Sequence, residues 1–189
     1  MQPIYSIQQK DVDLLKANGV TVPDINHSVK VAEKALEIAA RVKANNNAHL
    51  LDMELIGRGA LFHDLGKART HTMEHGLIGA EMGKTLGLPV AITAIMEKHI
   101  RGGLSADEAL ELGLPVKDYT LGRLEERIII YADRLVDIIT DGIVAITDEI
   151  NAEERFEEIL QTIPRYGKNE KTTSRYLGYH GEIQGLMRH

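Results

Sequence analysis

Leu61-Phe62-His63-Asp64-Leu65-Gly66-Lys67 is the stretch on which the reading of this chain turns. An apolar run leads into a His-Asp pair, and Leu-Gly-Lys follows. This places the pair in the last turn of a helix closed by Gly66, because glycine takes the left-handed conformation past a helix end without a side-chain clash. The pair alone means little: with 8 His and 11 Asp among 189 residues, about 0.5 such pairs arise by chance. Its neighbours along the chain change that. His27 lies before it, and His75, His99 and Asp133 lie after it. Four histidines and two aspartates spread over more than a hundred residues of helical sequence have the look of ligands to a metal centre.

Composition narrows the chemistry. The chain has no cysteine, which excludes disulfides, thiolate metal sites and cysteine nucleophiles, so any metal is held by nitrogen and oxygen. A length of 189 residues with 43% hydrophobic content suits one globular domain, with a modest extension at most. A net charge of −6 without a basic block argues against sequence-independent binding to duplex nucleic acid. Small anionic substrates remain compatible, since a site's local charge can oppose the net charge. Met1-Gln2-Pro3-Ile4-Tyr5 has no basic region followed by an apolar stretch, and no run approaches the ~18 apolar residues of a membrane span. The cytoplasm is the default expectation, with no membrane partner.

The pattern is helical nearly throughout, and the expected class is all-α. Ile25, Val29, Ala32, Leu36 and Ala39 recur at helical spacing from about Asp24 to Ala44. Asp52 is placed to cap a short helix reaching Asp64. Leu86-Gly87-Leu88-Pro89 and Leu112-Gly113-Leu114-Pro115 repeat one device, a glycine that ends a helix and a proline that begins the next. Ser105 with Glu108 forms a capping box and Asn151 with Glu154 resembles another, which predicts helix starts near 106 and 152. Ile128-Ile129-Ile130-Tyr131 favours a strand by propensity, but Leu124, Ile128, Val136 and Ile139 keep a helical stripe, so a helix is expected from Leu124 to Thr140. No dinucleotide glycine loop or P-loop is present.

Each candidate ligand also has a bland reading. His27, in the first turns of a long helix, is more often a surface or satisfied core residue. Asp133 sits in an apolar helix where an unpaired carboxylate is expensive, and a salt bridge to Arg127 or Arg134 would satisfy it. His75 precedes small residues, Gly76, Gly79 and Ala80, that allow close helix approach. His71 lies four positions before His75 and would share its face if the helix extends that far. His99 ends the helix beginning near Pro89, where it can simply complement the helix dipole.

Taken together, these residues resemble the HD-domain superfamily of metal-dependent phosphohydrolases, in the branch whose six ligand positions run His, His-Asp, His, His, Asp. Here His27, His63-Asp64, His75, His99 and Asp133 fill them, with Leu65 where the His-Asp-Ile-Gly subgroup more often has isoleucine. The chain is similar in texture to small uncharacterised prokaryotic HD proteins and to symmetrical dinucleoside tetraphosphate hydrolases. The resemblance covers about residues 24 to 140 and implies a core of about five helices over 23–140. Residues 1–22 would form a helical extension before it, and 141–189 helices packed on it.

By resemblance, His27, His63, Asp64 and Asp133 hold one divalent ion, and Asp64, His75 and His99 the second, with Asp64 bridging. A sulfur-free ligand set suits Fe, Mn, Co, Ni or Zn. Two such ions share a hydroxide that attacks phosphorus, so the nucleophile is water and not a side chain. Catalysis then centres on Asp64 and Lys67. Lys67 and Arg101 are placed to bind substrate phosphate, although each could equally be a helix-end or solvated cation. Asp137, one turn after Asp133, would assist from behind the ligands or handle a proton.

The implied function is hydrolysis of a phosphate ester or anhydride of a nucleotide or small phosphorylated metabolite. The alternatives are a single-metal nucleoside monophosphatase, a di-iron oxygenase of the same fold, and a nucleotide-binding sensor without turnover. Homo-oligomerisation is left open. The acidic run Glu153-Glu154-Arg155-Phe156-Glu157-Glu158 reads as a solvated helix face. The tail from Lys168, with Tyr176, Tyr179, His180 and Arg188, could cover a nucleotide base or reach a partner subunit, but packing on the core is the default expectation, and His49 is expected to lie in a polar loop without a catalytic role.

Overall fold

The run that mixes strand propensity with a helical stripe forms one unbroken helix, Leu124–Thr140. Ile128, Ile129, Ile130, Tyr131 and Ala132 are all fully buried, so this helix is apolar around its whole circumference at its middle. Such a helix must sit at the centre of a bundle. Tertiary burial on every side overrides the β preference of the isoleucines.

The computed structural model describes residues 5–45, 50–143 and 149–188. The helices among them are α1 (Gln9–Ala17), α2 (Val22–Asn45), α3 (Met53–Phe62), α4 (His75–Thr85), α5 (Val90–Lys98) and α6 (Ala106–Glu111). They continue with α7 (Leu124–Thr140), α8 (Glu149–Glu154), α9 (Phe156–Thr162), α10 (Pro164–Gly167) and α11 (Glu170–Arg188). Short 3-10 turns occupy Leu65–Ala68 and Ile100–Gly102, and no strand occurs among the described residues, in line with the all-α expectation.

Helices α2, α3 and α7 pack against one another, α5 lies on α3, and α4 lies on α5 and on the 3-10 turn after α3. Helix α11 crosses α2 and α7. It buries Tyr176, Ile183 and Met187, and Tyr131 Oη meets His180 Nδ1 at 2.8 Å, so the tail does pack on the core. On α2 the fully buried residues are Val31, Ala32, Ala35, Ile38, Ala39 and Val42, while Val29 and Leu36 flank the stripe half-buried.

Local signals mostly hold. Asp52 caps α3 by accepting the Leu55 amide at 2.9 Å. Ser105 and Glu108 complete a reciprocal capping box on α6. We expect Asp52→Ala to cost about 1 kcal/mol, read as a lower urea midpoint with unchanged slope.

Several expectations need correction. The helix before the His-Asp pair stops at Phe62, and Gly66 does not have a positive φ. Its reason is space, because a Cβ there would lie 1.9 Å from the His75 carbonyl oxygen and 2.7 Å from the Gly79 amide nitrogen. Gly87 and Gly113 do close helices with positive φ, and Pro89 precedes α5, but no helix follows Pro115 until Leu124. Instead Tyr119 turns inward, its amide donating to Leu104 O at 2.8 Å, and joins a small cluster with Ile100, Leu104, Ala109 and Leu114. Asn151 lies inside α8 and does not start it. Glu153 is not solvated: it is buried, and its carboxylate accepts from Arg41 at 2.7 and 3.2 Å and from Gln184 at 2.9 Å. His49 and residues Met1 to Ile4 lie outside the described residues.

Candidate metal centre

Five helices deliver side chains to one buried point. His27 comes from the first turns of α2, His63 caps the end of α3 and Asp64 follows it. His75 opens α4, His99 caps the end of α5, and Asp133 lies mid-way along α7. All six candidate ligands named from the sequence therefore meet, although they span 107 positions of chain.

Asp64 stands at the middle with its two oxygens facing different partners. Oδ1 is 3.1 Å from His75 Nε2 and 3.4 Å from His99 Nε2. Oδ2 is 3.2 Å from His63 Nε2 and 3.8 Å from His27 Nε2. Asp133 Oδ1 joins the second group, 3.0 Å from His27 Nε2 and 3.6 Å from His63 Nε2. His27, His63 and Asp64 form one set of potential ligand atoms close enough to hold an ion, and Asp64, His75 and His99 form another. A third set joins His27 and Asp133 to Asp137.

The histidines are oriented by one local device used three times. Each places Nδ1 against the carbonyl three residues earlier: His63 on Ala60 at 2.6 Å, His75 on Thr72 at 2.7 Å, and His99 on Met96 at 2.7 Å. A carbonyl only accepts, so the proton sits on Nδ1, and the neutral ring then presents a lone pair at Nε2. For His63 and His99 the acceptor is a carbonyl freed at a helix end. His75 Nε2 and His99 Nε2 lie 2.9 Å apart, and His63 Nε2 is buried without a hydrogen-bond partner. Lone pairs that face each other, and an orphaned buried nitrogen, are unfavourable unless a cation or proton joins them. The donor set thus fits a metal.

Electrostatics agree. Burial opposes ionisation of Asp64, yet His63, His75 and His99 hold its carboxyl well below the usual range. Asp133 is likewise well below it despite burial, through His27 and His63. Burial disfavours a charged His63, but Asp64 and Asp133 raise it well above an ordinary histidine. Asp137 is pushed up to about 6, first by burial and then by the Asp133 carboxylate.

The salt-bridge reading of Asp133 fails, and so does the pairing of His71 with His75 on one helical face. Arg127 is taken by Glu182 at 2.7 and 2.8 Å, and Arg134 by Tyr176 Oη at 3.1 Å and Asp137 at 3.6 Å, so neither pairs with Asp133. His75 begins α4, and His71 precedes the helix, 63% exposed and 3.4 Å from Asp24. The two therefore do not share a helical face.

The centre opens into a cleft of about 240 Å³. Lys67 lines it with its ammonium 2.6 Å from Asp64 Oδ2, and Arg101 lines it just past His99. Arg134, Lys168 and Tyr176 also line it. Arg134 is the neighbour of Asp133 on α7, whereas Lys168 and Tyr176 reach the cleft through the way α10 and α11 return over the core, which no local pattern carries.

An all-helical fold with a buried His/Asp cluster at the helix ends defines the class. The profile of the HD domain family matches residues 24–152. An uncharacterized protein of Methanocaldococcus jannaschii is 39% identical over 180 residues, 95% of this chain and 98% of that protein. The tRNA (cytidine(56)-2'-O)-methyltransferase of Picrophilus torridus is 41% identical over 125 residues, 66% of this chain. The match is only 35% of that enzyme, so the likeness concerns the shared segment. Among solved structures, the HD domain of L. monocytogenes phosphodiesterase PgpH in complex with cyclic-di-AMP superposes with a TM-score of 0.54. It is 18% identical, covering 92% of this chain and 95% of that one, which is a likeness of fold. The chain belongs to the HD family, the metal-dependent phosphohydrolase superfamily that its ligand pattern resembles. Among the described residues no helix is long and apolar enough to cross a membrane.

Proposed function

We propose that this protein hydrolyses a phosphate ester or anhydride of a nucleotide at a two-metal centre. His27, His63, Asp64 and Asp133 would hold one divalent ion and Asp64, His75 and His99 the other. The observation that carries the reading is the set of three Nε2 lone pairs, each fixed by an Nδ1 bond to a backbone carbonyl, that converge on the two oxygens of Asp64. Divalent cations there would supply Lewis acidity, neutralising phosphate charge and lowering the pKa of water.

The protein's own groups orient and protonate. Lys67, beside Asp64, and Arg101, past His99, line the cleft and bind the substrate's phosphate groups. Asp137, 4.0 Å from His27 Nδ1 and with its carboxyl raised to about 6, steadies that ring and is placed to pass a proton to the leaving oxygen. A cleft of about 240 Å³ is below the ~300 Å³ of sites that enclose a whole ligand, so it takes the phosphate and its neighbouring atoms while the base lies outside. A nucleotide substrate is in keeping with the cyclic-di-AMP bound by the L. monocytogenes HD domain.

The test is elemental analysis of protein purified without chelators or a metal-affinity tag, followed by a phosphate-release screen over nucleotides with Mn, Fe, Co, Ni and Zn. We expect about two equivalents per chain and metal-dependent turnover. His75→Ala is expected to retain about one equivalent and lose at least about 100-fold in kcat, in the range seen when one stabilising group is lost. Unchanged metal content in that variant would instead make His75 a structural or substrate-binding residue of a single-metal site.

A further inference from the structure

Two residues other than glycine have a positive φ among the described residues, Arg101 (φ 50) and Lys168 (φ 64), and both line the cleft. That conformation is strained for a residue with a side chain, and it persists only where its surroundings enforce it. Lys168 is the more extreme. Its ψ of −71, with Asn169 N donating to Gly167 O at 2.8 Å, makes it the apex of a γ-turn of the rare, strained hand. A Cβ on Gly167 would lie 2.1 Å from the Leu160 carbonyl oxygen, so the turn is pressed against α9. Asn169 Oδ1 accepts the Thr172 amide at 2.8 Å, and Thr173 Oγ1 donates to Gly167 O at 3.1 Å, which ties the other side to α11.

Helix α11 also holds the turn at Arg101. Arg175 donates to the Arg101 carbonyl at 2.9 Å, and Tyr179 Oη donates to the Gly102 carbonyl at 2.7 Å. The Tyr176 ring is so close that a Cβ on Gly102 would lie 3.1 Å from it. One helix therefore braces both strained turns, and all of it lies beyond the segment matched by the family profile.

The charges these turns present are not paired with a carboxylate among the described residues. Lys67 rests on Asp64 and Arg134 lies beside Asp137, but neither Arg101 nor Lys168 forms an ion pair through its side chain among the described residues. The Lys168 ammonium is held below its ordinary value by partial burial and then by the Arg134 and Arg101 charges, which outweigh the opposing pull of Asp137. Like charges held together on strained backbone are unfavourable until an anion joins them.

We infer that Arg101 and Lys168, held by α11, form a second anion station in the cleft that takes a phosphate group other than the one attacked, so that the substrate carries at least two phosphates. This rests on the hydrolase reading for the word substrate, but the station itself is testable without metal or turnover.

The experiment is calorimetric titration of chelator-stripped protein with sodium pyrophosphate. Lys168→Gln is expected to weaken binding at least tenfold. Lys171→Gln, which removes an equal charge from an exposed lysine 3.5 Å from Glu111, is expected to change it less than twofold. Equal effects from both variants, or none from Lys168→Gln, overturn the station. Lys168→Gly is expected to raise the melting temperature of the stripped protein by about 2–4 °C, because glycine accepts positive φ without strain, while weakening pyrophosphate as Lys168→Gln does. A lower melting temperature overturns the strain on which the inference stands.

In the metal-loaded protein, Lys168→Gln is expected to raise KM at least tenfold more for a nucleoside diphosphate than for p-nitrophenyl phosphate. Equal increases overturn the second-phosphate assignment. Pyrophosphate binding as expected, with no phosphate ester hydrolysed under any metal, would sink the proposed function and leave the station standing.

Discussion

Asp64→Asn is expected to empty both halves of the centre at once. Asparagine keeps the volume but replaces one carboxylate oxygen with an N–H donor and removes the charge. Each oxygen of Asp64 faces its own pair of imidazoles, so no orientation of the amide serves both groups. We expect metal content to fall from about two equivalents to less than one, and kcat/KM to fall at least about 10³-fold, equivalent to about 4 kcal/mol. The variant should still fold, because α3, α5 and α7 share a buried apolar core that includes Ile56, Ile95 and Ile129 and is left unchanged. Circular dichroism and thermal melting check that point. A folded Asp64→Asn protein with two equivalents and full activity would refute the bridging role.

Gly66→Ala is expected to be the most damaging single methyl group in the chain. The added Cβ would meet backbone on the neighbouring helix, 1.9 Å from His75 O and 2.7 Å from Gly79 N, and neither atom belongs to a side chain that can rotate away. Overpacking in a core commonly costs 1–3 kcal/mol, and a backbone-to-backbone clash should reach about 3 kcal/mol or more. Helix α4 must shift, and His75 is its first residue. Loss of stability in urea should therefore come with loss of about one metal equivalent, even though no ligand has been changed. A variant as stable as the parent and fully loaded would show that α4 is free to move without consequence.

Much of the centre was legible because each ligand announces itself through a local conflict. A histidine at a helix end, or an aspartate amid Ile128 to Val136, is chemically out of place in its own segment, and six such residues in a fixed order resemble one family. The capping residues Asp52 and Ser105 and the helix over 124–140 were readable for the same reason, since their determinants lie within a few positions of one another.

Other features were not legible because their partners are far away in sequence. Gly66 looked like a helix terminator, but the space it leaves is needed by α4. Glu153 looked solvated, but Arg41 and Gln184 enclose it. Lys168 and Arg101 carry no motif between them, and their shared cleft exists only because α11 folds back over the turn after His99.

The sequence by itself determined the helical class, the order of the metal-binding candidates and the absence of sulfur from the site, because periodicity and residue chemistry are properties of the chain. Tertiary structure alone decided that the six candidates converge on the two oxygens of one aspartate, that three ring protons are pinned to carbonyls, and that two strained cations border the cleft. Those are distances between segments dozens of residues apart, set by how helices pack and not by what any one of them prefers.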